Sequence, residues 1–243
     1  MPWSKPLTPA GVTSSSVAWV LEDGYQEEMT STDPECVAGC FDKCARVRGR
    51  RARPGSVRGA SRALLGLLDR QRIAGRTVLE VGCGLGGLTL ASASRGAEHA
   101  TGVDLSPVAI REASRLAAEA GLADRATFAV GDGSRMDLPP HDVVVLDKVI
   151  CCYPDADALL DNSLRATRLI YGFVVPYSSG WRGAAARAGI AMENASRWVS
   201  RQPFRAFVHD VERIEARIAQ AGLTRVAAAG SFPWYLAVYA RGA

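Results

Sequence analysis

The stretch "TVLEVGCGLGG" (Thr77–Gly87) decides how the rest of the chain is read. Apart from Glu80, its first five residues are apolar or β-branched, the composition of a buried strand. Glycines then stand at 82, 84, 86 and 87, and "LGGLTLASASRG" continues as a helix. Residues without a Cβ let the backbone take positive φ and let a ligand approach the main chain closely. The start of the helix adds free N–H groups. Gly82, Gly84 and Gly87 fit G-x-G-x-x-G, and Glu80, Gly82, Gly84 and Gly86 fit the tighter (D/E)-x-G-x-G-x-G. The first pattern seats a pyrophosphate. The same surface suits the carboxylate and sugar of an adenosyl amino acid, and both readings stay open here.

Working outward, "HATGVDLS", "ATFAVGDG", "HDVVVLDK" and "TRLIYGFVV" read as further strands. Between them, "PVAIREASRLAAEAG" and "DADALLDNSLRA" read as helices, the first with Pro near its start and Gly at its end. Strands alternating with helices imply right-handed βαβ units and a parallel sheet. After Pro176 the alternation stops: two helices, "GWRGAAARAGIAMENASRWVSRQ" and "VERIEARIAQAG", precede strands "LTRVAAAG" and "WYLAVYAR" facing each other across "GSFP".

Acids stand at the strand ends. Asp104, followed by Leu105, lies roughly twenty residues past the glycine turn, where a carboxylate accepts from two ribose hydroxyls. Asp132, with Gly133 and Ser134 after it, is placed to accept from an adenine amino group or to serve as a turn residue. "VVVLDKVICCYPDAD" ends its strand in Asp147 and Lys148, and then Cys151, Cys152 and Tyr153 follow at once. Ligands of α/β sheets bind outside the carboxyl ends of strands.

The bulk numbers bound the class. With 243 residues, 48% hydrophobic and 22% charged, the chain has an ordinary globular composition. One domain with additions is expected. No apolar run approaches the ~18 residues of a membrane span, and the N-terminus lacks the apolar core of a secretory signal. A cytoplasmic protein, with no membrane partner and reduced cysteines, is expected. Cys36, Cys40 and Cys44 share one helical face at a spacing unlike that of zinc ligands, so no metal is expected. "RVRGRRARPGSVR" (Arg46–Arg58) is densely basic within a net charge of +4. Without interleaved aromatics it reads as a solvated face, with no nucleic-acid partner. Helical signals run from about Cys36 to Arg72, broken at Pro54-Gly55. Residues 1–33, rich in Pro, Ser, Thr and Gly, read as a flexible arm with an aromatic anchor at Trp19 or Tyr25.

"LEVGCGLGG", "GVDLS", "VGDG", "VVVLDK" and the terminal "WYLAVYAR" together resemble the class I S-adenosylmethionine-dependent methyltransferases, over about residues 60 to 240. "CFDKCARVRGRRARPGS", "VVVLDKVICCYPD" and "FRAFVHDVERIEARIAQAGL" look like a narrower, largely uncharacterised bacterial group, itself distantly like magnesium-protoporphyrin O-methyltransferase. The resemblance implies a Rossmann-like, seven-stranded α/β sheet whose last strand is antiparallel. It implies a helical lid segment over 34–72, a methyltransferase domain over 73–243, and a substrate-cap insert over 177–208. It also implies S-adenosylmethionine on Glu80, Gly82, Gly84, Gly86, Asp104, Leu105, Asp132, Gly133, Asp147 and Lys148. The porphyrin enzymes tend to have a His-Tyr pair where this chain has "ICCYPD", a departure that bears on the acceptor.

In such a fold Cys151, Cys152 and Tyr153 line the acceptor cavity, with small buried packing as the alternative for both cysteines. A general base is needed only for a poorly acidic acceptor, and Tyr153, Tyr177 and His209 are the candidates. His209 alternatively caps the helix starting near Asp210. Arg205 and Arg182 are candidates for an acidic acceptor. The expected activity is methyl transfer to an O or N atom of a small molecule. A porphyrin carboxylate acceptor, or an S-adenosylmethionine-binding enzyme that does not methylate, is the alternative. A monomer or homodimer is expected.

Overall fold

The computed structural model describes residues 34–154 and 156–242. The expected arm over 1–33, with Trp19 and Tyr25, and the side chain of Cys36 lie outside the described residues. Helix α1 (Pro34–Gly49) and helix α2 (Gly59–Arg70) flank a turn at the expected Pro54-Gly55 break. Then follow β1 (Thr77–Val81), α3 (Gly87–Ser94), β2 (His99–Asp104), α4 (Pro107–Glu119), β3 (Ala126–Val130) and β4 (His141–Asp147). A single 3-10 turn (Ile150–Cys152) leads to α5 (Asp157–Arg165), β5 (Thr167–Pro176), α6 (Gly180–Val199), α7 (Val211–Gln220), β6 (Leu223–Ser231) and β7 (Trp234–Arg241).

The strands form one sheet in the order β3-β2-β1-β4-β5-β7-β6. The first five run parallel, whereas β7 is antiparallel to both β5 and β6. The expected seven-stranded sheet with an antiparallel last strand is therefore present. Val143 to Leu146 of β4 are wholly buried, as a parallel strand covered on both faces requires. One core layer joins Leu64, Leu65 and Leu68 of α2 with Leu88 and Leu90 of α3 and Leu116 of α4. The other packs Leu159 and Leu160 of α5 and Ile214 and Ile218 of α7 against the opposite face. Each such side chain contributes roughly 1.5–3 kcal/mol on burial. Of the segment 34–72, α2 is thus built into the core, while α1 rests on α4 through Asp42. Asp42 Oδ1 accepts from Ser106 Oγ (2.5 Å) and Val108 N (3.2 Å).

Strand order reverses between β1 and β4, because successive crossovers leave to opposite sides of that pair. A crevice opens at such a switch point. Its floor is Gly82 after β1 and Asp147-Lys148 at the end of β4. At the far edge of the sheet, β6 pairs only with β7 among the described residues, and its register slips between Arg225 and Ala227.

Candidate functional site

The glycine turn is built for two different reasons. Gly82, Gly84 and Gly86 all have positive φ, of 75°, 52° and 71°. A Cβ on Gly82 would stand 2.4 Å from Val149 Cγ2, and one on Gly86 would stand 2.6 Å from Phe128 Cε1. Packing excludes a side chain at both. At Gly84 nothing lies within 4 Å of the Cβ position, so the missing side chain leaves an open cradle.

Glu80 ties the turn to the helix behind it. Its Oε2 accepts from Thr89 N (2.8 Å) and Thr89 Oγ (2.5 Å). Burial raises the carboxyl pKa from its ordinary 4.5 to about 8, against the lowering effect of Thr89 and helped by Asp147 and Asp104 nearby. Asp104 is oriented by main-chain donors: Gly84 N to Oδ2 (2.8 Å) and Ser106 N to Oδ1 (2.9 Å). Burial raises its pKa, and those two bonds oppose the rise. Burial also pushes the neighbouring Cys83 thiol well up. Asp132 Oδ1 accepts from Ser134 N (2.9 Å), Ser134 Oγ (2.7 Å) and Tyr153 Oη (2.9 Å).

Lys148 has a positive φ of 62° without being glycine, a strain of order 1–3 kcal/mol that surrounding contacts must hold. Its Nζ donates to Ser61 Oγ (2.5 Å), lies 3.5 Å from Asp147 Oδ1 and sits 5.6 Å from the Trp234 ring centroid. Asp147 Oδ1 is buried with no hydrogen-bond donor, so that ammonium is its only near compensation among the described residues.

Two cavities meet over this floor and share Arg48, Gly82, Gly84, Asp104, Asp147 and Lys148. One, of about 950 Å³, runs under the C-terminal end of α1 and the turn before α2. The other, of about 810 Å³, runs past Leu105, Asp132, Gly133 and Val149 to Cys152, Tyr153, Arg205 and Phe207. Phe41 of α1 and Phe204, in the segment between α6 and α7, meet above it, ring centroids 5.0 Å apart.

Most residues expected at the site therefore converge. Gly86 lines neither cavity and serves packing. Cys151 is buried away from both, its Sγ 3.4 Å from Lys148 O, while Cys152 lines the second. Donation to Cys151, then burial, raises the Cys152 pKa well above its ordinary value. Tyr177 stands outside both cavities, accepting from Arg182 Nη1 (3.0 Å), with that guanidinium 5.2 Å from its ring centroid. His209 lines neither; its Nε2 lies 2.8 Å from Tyr153 O, and a carbonyl only accepts, so that nitrogen carries the proton. The cap of α7 is Asp210, whose Oδ1 accepts from Glu212 N (3.0 Å), rather than His209. The second cavity also shows residues the sequence did not mark: Phe41, Val149, Phe204 and Phe207. Among the described residues no cluster suited to a metal ion occurs, and no helix is long and apolar enough to cross a membrane.

Residues 78–168 match the family described as methyltransferase domain. The sheet to which they contribute has the class I methyltransferase fold. Among curated proteins, the chain is 31% identical over 165 residues to a carboxy-S-adenosyl-L-methionine synthase from Chromohalobacter salexigens, covering 64% of this chain and 58% of that protein. It is 39% identical over 64 residues to a probable chloroplastic tocopherol O-methyltransferase from Oryza sativa subsp. japonica, covering 26% of this chain and 18% of that protein. The chain thus spans less than two thirds of the length of these curated relatives. Among solved structures, magnesium protoporphyrin IX methyltransferase from Synechocystis PCC 6803 with bound SAH superposes with a TM-score of 0.60 at 17% identity, over 75% of this chain and 82% of that one. That likeness speaks for the fold alone.

Proposed function

We propose that the chain is an S-adenosylmethionine-dependent methyltransferase acting on an O or N atom of a small molecule. The observation that carries this is Gly84, a left-handed glycine with open space at its Cβ position, set beside the Asp104 carboxylate. The donor set fits an adenosyl amino acid. Asp104 accepts one N–H on each oxygen and keeps lone pairs for two ribose hydroxyls. Asp132, with Gly133 beside it, suits the adenine amino group, and Leu105 offers the base an apolar edge. The cradle suits a dinucleotide less well, because the Gly84 N–H that would meet a pyrophosphate is donated to Asp104.

The bound cofactor supplies a methyl group on an electrophilic sulfonium. The chain's own work is then alignment and exclusion of water. Phe41 and Phe204 close the roof over the second cavity, and α1 with the 177–208 cap forms the lid. Lys148, pinned by Ser61 and Asp147, sits where the two cavities join. Cys152 and Arg205 are walls of the second cavity, which meets the acceptor space at Lys148 and Gly82. Tyr153 holds Asp132 rather than taking a proton: its phenol donates to that carboxylate, and burial followed by the Asp132 charge raises its pKa. His209 fixes the Tyr153 main chain.

A second reading keeps the cofactor and omits methyl transfer, and the likeness to carboxy-S-adenosyl-L-methionine synthase favours it. Calorimetric titration with S-adenosylmethionine, S-adenosylhomocysteine and NADH tests the cofactor, and labelled methyl donor with an acceptor screen that includes porphyrin carboxylates separates the two readings. The expected result is dissociation constants on the order of micromolar for the first two ligands and no binding of NADH. In Asp104→Ala the affinity falls about tenfold to a hundredfold, through loss of a charged acceptor. Binding of NADH alone, or undiminished affinity in that variant, would overturn the assignment.

A further inference from the structure

The first cavity carries more positive charge than the proposed cofactor uses. Arg48 lies at the end of α1, and Arg51, Arg53 and Arg58 follow in the turn that leads to α2; all four line the cavity together with Lys148. Among the described residues, none of these four guanidinium groups makes a hydrogen bond or an ion pair. The turn that presents them is itself well anchored. Arg51 N donates to Arg48 O (3.1 Å) and Ser56 N to Arg53 O (3.2 Å). Gly55, with φ of 62°, lies so close to α3 that a Cβ there would stand 3.5 Å from Ala91 N. Ser56 O comes so near Gly87 that a Cβ there would stand 3.2 Å away. The backbone of the turn is thereby held above the glycine loop, and the four arginine side chains extend from it, exposed.

The acids on the same wall are already engaged. Glu80 accepts from Thr89, Asp104 from two main-chain N–H groups, and Asp147 neighbours Lys148. S-adenosylmethionine brings one carboxylate, but its ammonium and sulfonium leave it a net cation. Cofactor binding therefore leaves the cavity further from neutrality. An anionic second ligand would restore the balance.

We infer that the methyl acceptor is a small molecule bearing at least two acidic groups, carboxylate or phosphate, which dock on Arg51, Arg53 and Arg58 while its accepting atom lies toward Lys148 and Gly82. This rests on the methyltransferase reading. Guanidinium forks match carboxylate and phosphate oxygens in pairs. The cavity, about 950 Å³, has the size of a small-molecule site. A single-stranded nucleic acid would call for a row of stacking aromatics, and among the described residues Phe41 is the one aromatic side chain on this wall. A converging cationic cleft also draws an anionic acceptor in from solution.

The test compares the wild-type protein with the double variant Arg51→Gln/Arg53→Gln, each saturated with S-adenosylhomocysteine. Inorganic pyrophosphate and citrate are titrated by calorimetry, and a labelled oligouridylate by fluorescence anisotropy. The expected result is that wild-type protein binds pyrophosphate or citrate, the preferred anion telling phosphate from carboxylate. The double variant binds it at least about tenfold more weakly, with S-adenosylhomocysteine affinity within about twofold. Three results would overturn the inference: no binding of either anion by cofactor-loaded wild type, equal binding by the variant, or arginine-dependent binding of the oligouridylate alone. Failure of wild-type protein to bind S-adenosylhomocysteine would remove the methyltransferase reading first, and this one with it.

Discussion

Replacing Glu80 by Gln isolates the cost of burying a carboxyl under the glycine turn. The unfolded chain ionises this group at 4.5, the folded chain at about 8. The gap is about 3.5 pH, and at about 1.4 kcal/mol per pH the linkage amounts to at most about 5 kcal/mol. Below pH 4.5 both states hold the proton and the cost is absent. Between 4.5 and 8 the unfolded chain releases its proton and the folded chain does not, so stability falls as pH rises. Above 8 both states are ionised and the loss levels off. Glutamine has nearly the same shape, stays neutral and keeps an oxygen for the Thr89 N–H. Urea unfolding from about pH 5 to 9, read by linear extrapolation, should show Glu80→Gln gaining on wild type steadily up to about pH 8 and then holding a constant lead. Two parallel stability curves would refute the reasoning and mean that Glu80 is ionised in the folded protein at neutral pH.

Two further substitutions separate packing from ligand contact within the turn. Gly82→Ala drives a methyl into Val149 and should cost about 2–4 kcal/mol, whereas Gly84→Ala bears only a left-handed backbone cost of about 1 kcal/mol. Thermal melts should therefore fall by about 2–4 °C for Gly84→Ala and clearly more for Gly82→Ala, and only Gly84→Ala should pair a small melting shift with a tenfold or greater loss of S-adenosylhomocysteine affinity. Equal melting losses would contradict the assignment of the two glycines. Tyr153→Phe removes the phenol that steadies Asp132 and should weaken S-adenosylhomocysteine binding about threefold to tenfold by calorimetry; unchanged affinity would show that Ser134 alone orients the carboxylate.

The sheet was legible because its signals are local. β1, the glycine turn and α3 form one continuous stretch, Asp104 and Asp147 close their strands and Asp132 follows β3 by two residues, so register carries all three to the same end of the sheet. What escaped is contact between segments far apart in the chain. The Tyr153 phenol meets Asp132 across 21 residues, and Asp42 meets Ser106 across 64. Tyr177 follows β5 directly, yet Arg182 and Tyr235 hold it outside both cavities, and nothing in its sequence surroundings marks that. The Arg46–Arg58 cluster reads as a solvated face, and its arginines are indeed exposed. The acceptor-docking role proposed for it depends on the turn being pressed onto α3 at Gly55 and Gly87, a fit that charge density does not encode.

The slipped register in β6 bears on how the molecule meets copies of itself. An open sheet edge offers unsatisfied N–H and C=O groups to any extended chain, the usual route to ribbon-like aggregates. Here the outermost strand breaks its own ladder between Arg225 and Ala227, and a charged side chain marks the break, tethered to Glu215. An incoming strand would find its hydrogen-bond repeat interrupted midway and a buttressed cation beside it. At this alanine-rich border, outermost among the described residues, the interrupted ladder and the cation disfavour pairing with a further strand.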